Sequence, residues 1–252
     1  MEPIIRASGL TQRFGGRLIY RNVSFEVAAS QVFVILGGSG SGKSTLMRQM
    51  IGLLPPEQGH VAILGRDMYA APADVLNRIG VMYQSGALFG SMTLLENVML
   101  PLQIHTDLPP RACEQVARVK LALVGLAEAA ARMPAEISGG MAKRAAIARA
   151  MALDPPLLFL DEPSAGLDPV TSAGLDRLIL DLRAQLGIAF VVVTHELASI
   201  MAIADRCIML DHATAGVIAE GDPRVLRDHS TDPTVRAFFN REAPPLTAAV
   251  AA

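Results

Sequence analysis

A glycine-rich segment of this chain has the residue types that hold phosphate groups. Residues 37–44 spell Gly-Gly-Ser-Gly-Ser-Gly-Lys-Ser, the pattern G-x-x-x-x-G-K-[ST], directly after an apolar run at residues 32–36. In a loop between a strand and a helix, backbone N–H groups point at the phosphates, the lysine reaches the β- and γ-phosphates, and the serine hydroxyl can bind Mg²⁺. The sequence therefore predicts a nucleoside triphosphate site. Its phosphate-binding residues, here called the phosphate loop, are Gly37, Gly38, Ser39, Gly40, Ser41, Gly42, Lys43, Ser44 and Thr45.

Two adjacent carboxylates follow another apolar run. Asp161 and Glu162 come directly after residues 157–160, which have the sequence Leu-Leu-Phe-Leu. One carboxylate of such a pair can hold Mg²⁺ through its water shell, while the next orients and deprotonates the attacking water. We assign Asp161 to magnesium and Glu162 to the water. Acidic residues after a strand also cap the following helix, and this alternative stays open here.

A second segment offers groups that bind anions. Ser138, Gly139, Gly140 and Met141, here called the signature segment, precede an Ala-rich helical stretch at residues 142–150. Serine and glycine at a helix N-terminus expose unpaired N–H groups and a hydroxyl. Taken alone, this pattern is more often a simple helix cap.

The elements that must position these residues follow from hydrophobic patterning. Residues 19–27 alternate between polar and apolar, which predicts an antiparallel flank, and short apolar runs at residues 32–36, 79–83, 157–160 and 190–193 predict parallel strands buried on both faces. Residues 111–125 and 140–151 have a helical period. We predict a nucleotide-binding core at residues 1–84 and 154–225, a helical subdomain at 85–153, and a C-terminal extension at 226–252 whose end is disordered.

Composition excludes several classes of protein. A net charge of −2 and a pI near 6.2 provide no basic field, so nucleic acid is not an expected partner. Cys113 and Cys207 lie far apart, which predicts buried free thiols instead of a zinc site or a disulfide. The start of the chain lacks the pattern of a signal peptide, and the apolar runs are shorter than the roughly 18 residues of a membrane span. We expect a cytoplasmic protein that meets the membrane through a partner.

The three motifs, in this order, resemble those of the nucleotide-binding subunits of ABC transporters. The resemblance extends over residues 4–225. It implies an α/β P-loop NTPase fold of the ABC ATPase type, with a RecA-like core, an antiparallel β flank and an inserted α-helical subdomain. It also implies ATP hydrolysis coupled to transport, with ATP and Mg²⁺ bound.

The resemblance assigns roles to further residues. Phe14 lies where the family places an aromatic ring on adenine, although it could instead be a core residue. Gln84 is similar to a glutamine that touches Mg²⁺ and the attacking water and connects to the membrane partner, so the implied metal site is Ser44, Gln84 and, via water, Asp161. His195 is similar to the histidine that contacts the γ-phosphate. The catalytic group is then Glu162, His195 and Gln84.

The resemblance also implies a head-to-tail pair of identical chains. Each signature segment would close on the ATP of the second copy, and Asp168, in a loop at residues 164–168, would pass between the two sites. Many members have Gln where this chain has Met141, and a methionine side chain cannot donate a hydrogen bond to the ribose.

Three stretches resemble one branch of the family more narrowly. Residues 83–89, 141–146 and 231–239 are similar to the ATPases of Mce-type (Mla) phospholipid transport systems. This similarity implies a membrane permease, a STAS-domain protein and a periplasmic Mce lipid-binding protein as partners, at the cytoplasmic face of a bacterial inner membrane. The alternatives are an ABC ATPase for another cargo, such as an amino acid or a drug, and, less favoured, a P-loop ATPase outside transport.

Two surfaces are expected to meet partners. Apolar residues at 85–95, next to Gln84, would receive a cytoplasmic helix of the permease or else only fill the junction between subdomains. In the tail, Val235, Phe238 and Phe239 have helical spacing, and phenyl rings are costly to leave in water. One alternative is that they pack on their own subunit; the resemblance favours contact with the second ATPase chain near its STAS partner.

Overall fold

A six-stranded sheet forms the centre of the computed structural model, which describes residues 2–242. Its strand order is β10-β9-β3-β8-β7-β6, with β10 antiparallel to its neighbour β9 and every other pair parallel. Because helices cover both faces, the central strands are continuously apolar. The bounds are β3 Val32–Gly37, β6 Ile79–Met82, β7 Leu157–Asp161, β8 Ala189–Val193, β9 Arg206–Asp211 and β10 Gly216–Gly221.

A second, antiparallel sheet flanks the first. Its order is β2-β1-β4-β5, and β1 pairs with both β2 and β4. Alternation of buried and exposed residues along β2 turns one face of this sheet toward the core. The bounds are β1 Ile5–Phe14, β2 Arg17–Val27, β4 Gln58–Ile63 and β5 Arg66–Asp67.

The described residues contain nine α-helices: seven connect strands, and the last two follow β10. Three of them, α3 to α5, lie between β6 and β7, where the sequence predicts a helical subdomain; the subdomain boundaries themselves stay a prediction. The bounds are α1 Lys43–Met50, α2 Pro72–Leu76, α3 Leu94–His105, α4 Pro110–Leu123, α5 Gly139–Ala150, α6 Pro169–Leu186, α7 Leu197–Ile203, α8 Pro223–His229 and α9 Pro233–Asn240.

The predicted fold class is confirmed. The apolar runs at residues 32–36, 79–83, 157–160 and 190–193 form β3, β6, β7 and β8, to within one residue at each end. The two cysteines are buried free thiols, as expected. Between residues 2 and 242, no helix is both long and apolar enough to cross a bilayer.

The C-terminal segment packs on its own chain. Helix α8 begins at Pro223, three residues before the predicted start of the extension at 226. Asp232 caps α9, and Val235 and Phe239 are buried in the larger of two apolar clusters. The disorder predicted for the end of the chain concerns residues from 243 on, which lie outside the described part.

Candidate functional site: a phosphate loop beside an acidic strand end

The phosphate loop begins where β3 ends and leads into α1. Gly37 has φ 146°, and a Cβ there would lie 2.2 Å from the carbonyl oxygen of Leu210. Gly42 has φ 98°, and a Cβ there would lie 2.8 Å from the ring of Tyr20. Any other residue would be strained at these φ values, and its Cβ would clash with the neighbouring atoms. The loop can therefore adopt this shape only with glycine at both positions.

Polar groups of the loop are arranged around the position where a phosphate would bind. Lys43 Nζ donates to the carbonyl oxygens of Gly37 at 2.8 Å and Gly38 at 3.0 Å. The hydroxyl of Ser41 is buried without a hydrogen-bond partner among the described residues. An orphaned hydroxyl and a lysine whose hydrogen bonds, within residues 2–242, go to loop carbonyls fit an anion, which would provide a partner for both groups.

Burial lowers the pKa of Lys43, and the charges of Glu162 and Asp161 oppose that shift. The acidic strand end therefore lies close enough to influence the loop electrostatically. Asp161 is the last residue of β7, and its pKa is raised first by burial and then by Glu162, while Arg48, Lys43 and Lys143 lower it. A bound cation would offset the burial of this carboxylate in the same way.

Glu162 and His195 form a direct pair. Glu162 Oε1 lies 2.8 Å from Nδ1 of His195, which follows β8. The Glu162 side chain is only 13% exposed, whereas that of His195 is 69% exposed. A neutral imidazole with its proton on Nδ1 would donate to the carboxylate and fix its orientation. The helix-cap alternative for the two carboxylates is wrong, because α6 is capped by Asp168.

Gln84 follows the end of β6, the strand next to β7. Its exposed side chain lines an open cleft of about 590 Å³ together with Asp161. Amide and carboxylate oxygens are the ligands that Mg²⁺ prefers, so this side of the site fits the predicted metal.

The signature segment forms the start of α5. Ser138 is the N-cap of α5, and its hydroxyl accepts from the backbone N–H of Met141 at 3.3 Å. The helix-cap interpretation of this serine is therefore correct. Ser138 and Gly139 are exposed, whereas Gly140 is buried. A Cβ at Gly140 would lie 2.3 Å from Cγ2 of Thr171, so the segment lies beside the start of α6.

Among residues 2–242, neither Asp168 nor Phe14 makes a hydrogen bond with the catalytic pair. Asp168 accepts from the backbone N–H groups of Val170 and Thr171, each at 3.0 Å. Phe14 ends β1 and is 47% exposed, which excludes the alternative of a core residue. Between residues 2 and 242, no hydrogen bond joins Ser138 or Phe14 to the phosphate loop.

Sequence reasoning missed two features of this region. Lys143 donates to the carbonyl oxygen of Gln84. The sequence signal that could have found it is that Lys143 is one of only three lysines in the chain and lies within an Ala-rich helical stretch. A cleft of about 510 Å³ also extends from Glu162 and His195 to Phe238 and Arg241 at the end of α9. Nothing in the tail sequence indicates that this helix ends beside the catalytic pair.

A family model described as ABC transporter matches residues 20–165. The chain belongs to the ABC transporter family. Among solved structures, the ATP-binding cassette MJ0796, in a dimeric post-hydrolysis state bound to ADP and Pi, is 28% identical, with a TM-score of 0.76 over 86% of this chain and 98% of that one. The resemblance inferred from the motifs is thereby confirmed.

Two curated relatives of this ABC-family chain are named for what their systems transport. The intermembrane phospholipid transport system ATP-binding protein MlaF of Haemophilus influenzae is 41% identical over 208 residues, which are 81% of this chain and 79% of that protein. The probable ribonucleotide transport ATP-binding protein mkl of Mycobacterium tuberculosis is 43% identical over 214 residues, which are 83% of this chain. This chain spans only 60% of the length of mkl.

Proposed function

We propose that this chain is the ATP-binding and ATP-hydrolysing motor subunit of an ABC transporter that moves phospholipids. The observation that carries the ATP-hydrolysing part of the proposal is the Glu162–His195 pair, 2.8 Å apart, at a strand end whose charges act on Lys43 of the phosphate loop. Family membership and the MlaF relative support it.

The residues divide the chemistry among them. Lys43 and the loop N–H groups hold the β- and γ-phosphates, and Glu162 accepts the proton of the attacking water while His195 orients its carboxylate. Ser44 and Gln84, with Asp161 through a water, would hold Mg²⁺, which would supply positive charge to neutralise the phosphates. Phe14, exposed at the edge of the antiparallel sheet, would stack on the adenine.

Assembly completes the site in this proposal. Ser138 and Gly139 are exposed at a helix N-terminus, where they can approach the γ-phosphate held by a second copy, with Asp168 between the two sites. The dimeric state of MJ0796 supports this arrangement.

The proposed complex attaches to the inner membrane through a permease on the cytoplasmic face. Phe89, which is 50% exposed, and Tyr83, which is 40% exposed, flank the turn after β6 and would contact a permease helix. A STAS-domain protein and a periplasmic Mce lipid-binding protein would complete the assembly, in line with the motif resemblance.

Cargo can be tested with the assembled transporter. The tagged chain is purified with its membrane partners and reconstituted into vesicles containing a fluorescent phospholipid, with lipid-free acceptor particles outside. We expect phospholipid to redistribute between vesicles and acceptors when ATP and Mg²⁺ are added, and not with the Glu162→Gln complex.

A second candidate cargo is a ribonucleotide, which the mkl relative favours by name. Transport of this cargo is measured with the same vesicles, loaded with labelled ribonucleotide. ATP-driven ribonucleotide movement without lipid movement would reject the phospholipid assignment and keep the motor assignment.

A further inference from the structure

Lys143 lies on α5, five residues after the signature serine, and connects three parts of the site. The residue is only 8% exposed. Its Nζ donates to the carbonyl oxygen of Gln84 and lies 3.4 Å from that of Glu162. Those two carbonyls belong to the turns that follow β6 and β7, which are neighbours in the sheet.

Both turns contain backbone conformations that need support. Glu162 has φ 45° and Ala87 has φ 48°, although neither is glycine. Left-handed backbone at such residues persists only where the surrounding structure imposes it. A cation that donates to both turns supplies part of that constraint and restricts how Glu162 and Gln84 move relative to each other.

The charge of Lys143 fits this position. Burial lowers its pKa, and the nearby carboxylates of Glu162 and Asp161 raise it. An ammonium group buried among carbonyl oxygens and two carboxylates is compensated, whereas an apolar side chain there would leave the carbonyls without this donor.

Arg149, on the same helix, provides a contrast. Its guanidinium donates to the carbonyl oxygens of Gly86 at 2.9 Å and Ala87 at 2.7 Å, so it binds the turn after β6. Lys143 binds that turn and also reaches the backbone of the proposed general base. Among the hydrogen bonds of residues 2–242, the one that joins the signature helix to Glu162 is donated by Lys143.

We propose that Lys143 is a positioning residue, which holds the backbones of Gln84 and Glu162 in register with the signature segment so that the Glu162 carboxylate meets the attacking water. The inference rests on the proposed function, in which Glu162 is the base.

The test replaces Lys143 in the full chain, purified with its transporter partners. Lys143→Met keeps an unbranched apolar stem and removes the donors. We expect kcat for ATP hydrolysis to fall by roughly 10- to 100-fold, the cost of a misplacement near 1 Å, with KM for ATP nearly unchanged. Lys143→Arg should restore most of kcat, since the guanidinium also donates.

The matched control is Lys120→Met. Lys120 is the other buried lysine outside the phosphate loop, and it pairs with Asp154 in the helical part of the chain. We expect Lys120→Met to lower the melting temperature while kcat stays close to that of the unaltered complex.

Three outcomes would overturn the proposal: an unchanged kcat for Lys143→Met, a loss of kcat that Lys143→Arg does not restore, or a loss that Lys120→Met reproduces. Glu162→Gln in the same preparations separates a failure of the proposed function from a failure of the proposed role of Lys143. If Glu162→Gln stays active, the base assignment fails; if it is inactive while Lys143→Met is active, only the role of Lys143 fails.

Discussion

At the scale of single residues, Glu162 combines a special backbone with a directed side chain. Its left-handed φ of 45° places the carboxylate toward His195, while its N–H donates to the carbonyl oxygen of Val193 at 2.8 Å. Backbone strain of this kind costs about 1 to 3 kcal/mol and is often found at functional sites. The orientation of this carboxylate at the end of β7 thus depends on bonds from β8 and the residues that follow it.

Replacing Glu162 with Gln keeps the shape of the side chain but removes its ability to accept a proton. We expect hydrolysis in the assembled transporter to slow by roughly 10² to 10⁴, the usual contribution of a positioned general base. ATP affinity, measured with a fluorescent nucleotide, should be retained because the phosphate loop is unchanged.

The control is Glu57→Gln, which alters an exposed carboxylate paired with Arg13 and should leave turnover unchanged. Turnover of Glu162→Gln close to that of the unaltered complex would show that another group takes the proton.

At the scale of elements, helix α5 carries the signature segment at one end and cations along its length. Its N-terminus is exposed, and Gly140 allows close approach to Thr171 of α6. Further along, Lys143 and Arg149 bind the turn after β6. A single helix thus links the surface offered to a second copy with the turn proposed to meet the permease.

We expect the signature segment to act on the ATP of the second copy. A helix N-terminus presents about half a positive charge to the γ-phosphate, and an arginine at Ser138 would block that approach. Ser138→Arg and Lys43→Ala complexes should each be inactive. When the two chains are co-expressed with different tags, mixed dimers should recover part of the activity.

Mixed dimers contain one intact phosphate loop facing one intact signature segment only if the sites form between chains. Tandem affinity purification isolates them, and homodimers of each variant are the controls. Mixed dimers as inactive as both homodimers would contradict the arrangement.

At the scale of the whole molecule, two apolar clusters pack on opposite faces of the central sheet. The larger cluster contains Val235 and Phe239 of α9, so the tail is part of the same core as the helical elements. Phe238, edge-on to Phe239 at 5.3 Å between centroids, turns toward the cleft beside Glu162 and His195. The folding of the tail and the shape of the catalytic cleft therefore depend on each other.

Removal of the Phe239 ring should destabilise the single chain. Phe239 is 3% exposed, and Phe239→Ala is expected to lower the free energy of unfolding by about 3 to 5 kcal/mol, measured by urea denaturation. Val225→Ala, at a side chain that is 54% exposed on α8, should change it by less than about 0.5 kcal/mol. If Phe239→Ala leaves the free energy of unfolding unchanged but weakens self-association, the ring packs on the second copy instead.

The amino-acid sequence by itself determined the parts of this protein that local chemistry dictates. The phosphate loop, the acidic pair and the apolar strands were predictable because glycine, lysine and carboxylate spacing within a few residues fixes what such a segment can bind. The order of these motifs was sufficient for the family and the fold class.

Only the tertiary structure decided which distant residues meet. Glu162 and His195 are 33 positions apart, and Lys143 and Gln84 are 59 apart. Their contacts depend on β6, β7 and β8 lying side by side, with α5 packed against β6. Hydrophobicity left the packing of the tail open, because a buried ring satisfies the same requirement on either subunit, and the resemblance favoured the second chain. In the structure, Val235 and Phe239 of α9 are buried in the core of their own chain.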